Sequence, residues 1–229
     1  MNVQVVIPAL NEAGNIGPLV TALLAQPVNG VIVADNGSTD ETAARAAAAG
    51  AVVVSEPRRG YGFACRAGSQ AALAAGADLI VYIDGDYSSL PEELPRLLAP
   101  LAAAEADLVL GSRLMGQIAP GAMAPHQRFG NWLASGLMRR LYDLPVTDLS
   151  PYRAIRAELY SALALREMTF GWPTEMMVKA AKRRARLVEV PVTWAVRRTG
   201  RSKVSGTLRG TILAAYYILG VTLRYALWE

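Results

Sequence analysis

Short apolar runs alternate with alanine-rich segments through the first half of the chain, and this alternation limits what it can fold into more than any other feature. Residues 3–7, 31–34, 52–55, 79–83 and 107–110 have the length and apolar content of buried strands. The intervening residues 16–25, 41–49, 63–75 and 91–104 read as helices. A βαβα order predicts an α/β chain with a mainly parallel, twisted sheet and helices on both faces. The second half is less regular. Residues 126–141 and 173–184 read as helices, and 187–196 as a strand whose Pro191 marks an edge or a bulge. Residues 207–228 form a final helix.

In open sheets of this kind, ligands bind beyond the carboxyl ends of the strands. Those ends carry Pro8-Ala9-Leu10-Asn11-Glu12, Asp35-Asn36-Gly37-Ser38-Thr39-Asp40, Arg58-Arg59-Gly60-Tyr61-Gly62, Asp84-Gly85-Asp86 and Gly111-Ser112-Arg113. One such loop would be turn chemistry; five in succession on one edge point to a site. Asp84 and Asp86 repel each other and require a compensating positive charge. Hard carboxylate oxygens at this spacing suit Mg²⁺ or Mn²⁺, with the remaining positions left to water and substrate phosphates. The plainer alternative is an acidic turn capping the helix that starts at Pro91. The glycines of "GYGFACRAG" do not make a dinucleotide fingerprint, because Cys65 stands where the third glycine belongs, and no P-loop pattern is present. What remains is a glycine turn into a helix, or a loop that carries Arg58 or Arg59 to a phosphate.

Charge is unevenly placed. Residues 1–100 carry a net −5 and residues 101–229 a net +9, so the second half suits an anionic partner: phosphate, nucleic acid or a membrane surface. Nucleic acid is disfavoured, because the basic residues are not interleaved with aromatics for stacking. Cys65 is the only cysteine, which excludes an internal disulfide and fits a reducing compartment. The first residues lack a basic segment before a long apolar core, so no signal peptide is expected. The apolar stretch 211–223 lies between Arg209 and Arg224 and is shorter than the roughly 20 residues of a membrane span, so it is expected not to cross a bilayer alone. His126 is the only histidine, and a zinc site without partners is not expected.

The segments "VVIPALNE", "VADNGSTDET", "RRGYG", "YIDGD", "LVLGSR" and "GRSK" occur in this order. Together they resemble the family 2 glycosyltransferases of the GT-A fold, in particular the polyprenyl-phosphate (dolichyl-phosphate) mannosyl and glucosyl synthases. The similarity runs from Val3 to about Leu208. It implies a GT-A domain over residues 1–206, with a nucleotide-sugar half to about residue 113 and an acceptor half over 114–206, followed by a C-terminal amphipathic helix over 207–229. In this likeness Pro8, Asn11 and Glu12 line the base and ribose, and Asp35 bonds the base in a loop shaped by Gly37 and Ser38. The family's common Asp-Asp pair is Asp35-Asn36 in this chain. Arg59 approaches the donor phosphates, Asp84 and Asp86 hold the Mg²⁺ or Mn²⁺, and Arg113 and the Arg201-Ser202-Lys203 loop contact phosphate groups.

An acceptor hydroxyl needs a base, and Asp148 and Glu175 are the candidates. Each has a plainer reading: a turn or helix cap for Asp148, and a helix first turn, where an acid suits the dipole, for Glu175. A lipid phosphate acceptor is already anionic and needs a cationic cradle instead, which Arg128, Arg153, Arg201 and Lys203 could supply. The resemblance thus implies an inverting, metal-dependent hexosyltransferase that uses a nucleotide-diphosphate sugar and polyprenyl phosphate. It would be cytoplasmic and peripheral on the inner face of the cell membrane, with the final helix at the interface. That helix could instead pack on the domain or across a homodimer. Two rival functions are transfer to a small, glycerate-type soluble acceptor and a non-catalytic module that binds nucleotide sugars or polyanions.

Overall fold

The computed structural model describes residues 1–200 and 208–227, except for the side chains of Leu208 and Arg209. Seven strands form one sheet in the order β3-β2-β1-β4-β6-β5-β7. The first half supplies β1 (Val3–Ala9), α1 (Ile16–Leu24), β2 (Gly30–Asp35), α2 (Thr42–Ala48), β3 (Val52–Ser55), α3 (Tyr61–Ala74) and β4 (Leu79–Tyr82). A single 3₁₀ turn, Pro91–Glu93, leads into α4 (Leu94–Ala102). The second half supplies β5 (Leu108–Ile118), α5 (Pro125–Tyr142), β6 (Arg153–Arg156), α6 (Ala157–Leu163), α7 (Trp172–Lys182), β7 (Leu187–Trp194) and α8 (Leu208–Leu227).

Successive strand side chains point to opposite faces, and this divides the core in two. Val3, Val5 and Ile7 of β1 join Leu79 and Val81 of β4 against Ile16, Leu19 and Leu23 of α1 and Leu94, Leu97 and Leu101 of α4. Val6, Ile80 and Tyr82 face the other way, onto Cys65 and Ala72 of α3, Met138 of α5, and Trp172 and Met176 of α7. The helices thus cover both faces, as the alternation predicts. β1 lies between β2 and β4 and pairs parallel with both. The chain winds outward in both directions from β1 and β4, so a crevice opens beyond their carboxyl ends.

The second half departs from expectation in three ways. First, β6 and α6 have no counterpart in the sequence reading, because β6 is four residues long and bounded by Arg153 and Arg156. It pairs antiparallel with both β4 and β5 and is the exception in an otherwise parallel sheet. Second, Gly111, Ser112 and Arg113 lie within β5 rather than past its end, because that strand keeps pairing with β7. β7 is the edge strand, and its register with β5 shifts after the Ser112–Pro191 pair, so Pro191 marks both an edge and a bulge. Third, α8 runs unbroken for 20 residues. At 1.5 Å per residue it is about 30 Å long, and the stretch Gly210–Leu227 is long and apolar enough to cross a membrane. This stretch runs past Arg224 and is longer than the run between the two arginines. Against a purely membrane role, α8 packs on α5 and α7 and buries Val221 and Tyr225.

Candidate active site

A cavity of about 640 Å³ occupies the crevice beyond β1 and β4. Pro8 and Glu12 line one wall, Arg59, Gly60 and Tyr61 a second, and Asp84, Gly85 and Asp86 the floor. Arg113, Trp194 and Arg197 join the lining from the second half of the chain, as do Ala214, Tyr217 and Ile218 of α8. Six of the sequence candidates therefore meet in one cavity: Pro8, Glu12, Arg59, Asp84, Asp86 and Arg113.

The loops that hold them are cross-tied. Asn11 sits in the left-handed region at φ 50°, a conformation an asparagine tolerates. Its Oδ1 accepts from the Thr39 amide at 2.8 Å, and its own amide donates to Ser38 Oγ at 2.9 Å. Asp35 accepts from the Ser38 amide at 3.2 Å. Asn11, Asp35, Gly37 and Ser38 thus join the loops after β1 and β2 and lie outside the cavity lining. Asn36 shows why an amide stands beside Asp35. Its Nδ2 donates to the Glu56 carbonyl at 2.9 Å and the Arg58 carbonyl at 2.7 Å, while its Oδ1 accepts from the Gly60 amide at 2.9 Å. A carboxylate could not make the two donations.

That stitching sets the arginine loop. Arg58 turns outward and pairs with Glu56 at 2.6 Å, which leaves Arg59 facing the cavity. The two glycines that follow serve packing. Gly60 adopts φ 151°, and a Cβ at Gly62 would lie 2.5 Å from the Glu167 carbonyl oxygen and 2.6 Å from Met168 Cα. The 167–168 backbone therefore crosses directly over the start of α3, and Tyr61 is directed at Asp84.

On the floor, Asp84 Oδ1 accepts from the Tyr61 hydroxyl at 3.1 Å. Burial, together with the charge of Asp86, pushes the Asp84 carboxyl up to about 7. Asp86 Oδ1 accepts from the Ser88 amide at 3.0 Å, and Oδ2 pairs with Arg197 at 2.9 Å. Among the described residues no group of three or more His, Cys, Asp or Glu side chains gathers to enclose a metal. Asp84, which accepts only a hydroxyl, and Asp86, which shares Arg197 with Glu12, fit a hard divalent cation that takes its other ligands from water and a bound phosphate.

Asp148 and Glu175 are placed differently. Asp148 is fully buried and outside the cavity lining. Arg113 holds it with Nε at 2.7 Å, Nη2 at 2.6 Å and its backbone amide at 2.8 Å. The Asp148 amide in turn donates to Glu189 at 3.0 Å, and Asn131 of α5 clasps the same loop through Thr147 and Leu149. Asp148 fixes Arg113, whose guanidinium lies 4.8 Å over the Trp194 ring. It is not placed to take a proton from an acceptor. Glu175 is also fully buried. Burial acts to raise its pKa, but the Tyr225 hydroxyl, the Glu167 amide and Lys179 outweigh it, so the net shift is downward. It is the anchor by which α7 holds α8, and as a base it is misplaced for the same reason as Asp148: every bond it makes is structural and none faces the cavity.

The proposed cationic cradle is only partly assembled. Arg153 is buried beneath the site, donating to the Pro173 carbonyl at 2.9 Å and to the Ser150 carbonyl, and does not line the cavity. Arg128 is exposed on α5, away from the lining. Arg201, Ser202 and Lys203 lie outside the described residues. The structure adds Tyr61, Trp194, Arg197 and the inner face of α8. Tyr61 stood inside a quoted motif and the final helix was expected at a membrane interface, whereas nothing in the local sequence marks Trp194 or Arg197.

Residues 4–163 match the family description "Glycosyl transferase family 2". An uncharacterised glycosyltransferase of Mycobacterium tuberculosis is 41% identical over 213 residues, covering 93% of this chain and 94% of that protein. The undecaprenyl-phosphate mannosyltransferase of Micrococcus luteus is 34% identical, covering 100% of this chain and 97% of its own. Among solved structures, glucosyl-3-phosphoglycerate synthase from M. tuberculosis, in complex with Mn²⁺, UDP and phosphoglyceric acid, superposes with a TM-score of 0.79 at 25% identity, covering 100% of this chain and 79% of that one. The sheet, its helices and this likeness identify the fold as GT-A.

Proposed function

The chain belongs to glycosyl transferase family 2 and is a glycosyltransferase, and from that premise we propose that it moves a hexose from a nucleotide-diphosphate sugar onto polyprenyl phosphate, with inversion, at the cytoplasmic face of a membrane. The observation that carries the acceptor class is the make-up of the cavity. Its lining combines Asp84, Asp86, Arg59, Arg113 and Arg197 with Ala214, Tyr217 and Ile218 of an apolar helix. The outer face of that helix exposes Ile212, Tyr216, Leu223 and Leu227. An acceptor with a phosphate head and a long hydrocarbon tail fits such a mixed lining, with the head among the arginines and the tail against α8.

Asp84 and Asp86 would hold a Mg²⁺ or Mn²⁺, and that ion would neutralise the departing nucleoside diphosphate. Arg59 adds a fixed positive charge on the donor side, where negative charge grows in the transition state. Arg113, locked by Asp148 and Trp194, presents its charge with little freedom left to lose. No protein base is required, because an anionic phosphate oxygen attacks the anomeric carbon directly. This agrees with the consumption of Asp148 and Glu175 in structural bonds.

A second reading is favoured by the solved relative whose complex contains phosphoglyceric acid: the same arginines would receive a small acid instead of a lipid phosphate. The deciding experiment offers UDP- and GDP-hexoses with undecaprenyl phosphate in detergent, and separately with 3-phosphoglycerate in water. Product only with the lipid is expected. Product only with the soluble acid would overturn the lipid assignment.

A further inference from the structure

The segment after β7 is strapped across the strand ends, and Arg197 is its buckle. Ala195 donates its amide to the Ser88 carbonyl at 2.8 Å. Thr199 Oγ1 donates to Asn15 Oδ1 at 2.7 Å, and Asn15 Nδ2 donates back to the Thr199 carbonyl at 3.2 Å. The Arg198 guanidinium lies 5.6 Å over the Tyr87 ring. Between these ties Arg197 reaches down into the cavity. Its Nη1 donates to both Glu12 oxygens, at 2.9 and 3.0 Å, and its Nη2 meets Asp86 Oδ2 at 2.9 Å. Only 18% of the arginine side chain is exposed, against 7% for Glu12 and 13% for Asp86.

Both oxygens of Asp86 are thereby used: Oδ1 by the Ser88 amide and Oδ2 by Arg197. A divalent ion arriving at Oδ2 meets the guanidinium already on that oxygen. We propose that Arg197 is an internal cation that stands in for the divalent ion and keeps the strap shut over an empty donor site. Entry of the ion at Asp86 exchanges with the guanidinium and weakens the tie to Glu12, because two cations on one carboxylate repel. The strap then loosens, and the released Arg197 becomes a donor for the phosphate oxygens that arrive with the ion. Loading the site and opening the strap are one equilibrium. The inference rests on the reading of Asp84 and Asp86 as the ion's ligands.

The test uses Mn²⁺ alone as the probe, on the full chain, with two readouts: Mn²⁺ affinity by electron paramagnetic resonance, and the rate of tryptic cleavage after Arg198. In the wild type, Mn²⁺ is expected to accelerate cleavage at the strap. In Arg197→Gln, cleavage is fast with or without Mn²⁺, and the ion binds about five- to tenfold more tightly because the open state no longer has to be populated first. In Asp86→Ala, Mn²⁺ binding is lost and adding the ion leaves the cleavage rate unchanged. If Mn²⁺ binds the wild type at Asp86 but leaves strap cleavage unchanged or slower, the exchange is wrong while the metal site stands. If Asp86→Ala binds Mn²⁺ as the wild type does, the metal-site reading fails, and the inference with it.

Discussion

Asp84 and Asp148 are both carboxylates on the same edge of one sheet, and the molecule treats them in opposite ways. Asp148 receives three bonds from a single arginine, and no solvent reaches it. Asp84 receives one hydroxyl, sits beside a second carboxylate, and has its pKa raised by burial and by that neighbour. The first acid is finished in the folded chain. The second is left short of positive charge, in a cavity with room for a ligand to supply it. The contrast extends to the two halves: the loops after β1 to β4 are built to receive, whereas the acids of the second half, Asp148 and Glu175, hold a scaffold together. A carboxylate's role is thus read from what remains unsatisfied around it, and residue type alone does not reveal it.

Substitutions should separate the two classes, and the largest effect belongs to the floor. Asp86→Ala should lower kcat/KM for sugar transfer by about a thousandfold with an unchanged circular dichroism spectrum; near-normal turnover would place the cation elsewhere. Asp148→Ala should act mainly on stability, because it strands the Arg113 charge in a buried site, at a cost of about 3–5 kcal/mol. Urea unfolding would show it, and an unaltered midpoint would contradict the pairing. Asp84→Asn should do the reverse: in metal-free buffer its melting temperature should rise, because the substitution removes like-charge repulsion and a buried charge, while Mn²⁺-dependent transfer is lost. Glu175→Gln should loosen α8 by about 1–3 kcal/mol, seen as faster amide exchange in α8 and a greater loss of lipid than of nucleotide affinity. Smallest of all, Asn36→Asp should cost about 1–2 kcal/mol and raise KM for the donor more than it lowers kcat, because it frees the loop that sets Arg59.

Legibility followed the same division. The first half is transparent because each of its strands is a short apolar run and each run ends in a polar loop, so strand direction and the position of the cavity follow from order alone. β6 was hidden because a four-residue strand flanked by arginines has no apolar signature. Asp148 and Glu175 look like bases to a reader of sequence because their partners are distant in the chain: Arg113 is 35 residues from Asp148, and Tyr225 is 50 from Glu175. Arg197 is 185 residues from Glu12, and in "RRTGRSK" attention falls on the later cations. Asn36 invited comparison with an acid until its two donated bonds showed why an amide is required.

The measurement that bears most directly on this account is donor binding with and without Mn²⁺, across UDP-, GDP- and dTDP-sugars, for the wild type and Asp86→Ala. The account predicts that one nucleotide binds, that binding requires Mn²⁺, and that the substitution abolishes it. Binding indifferent to both the ion and the substitution would mean that Asp84 and Asp86 form a structural turn and that the donor diphosphate is held elsewhere.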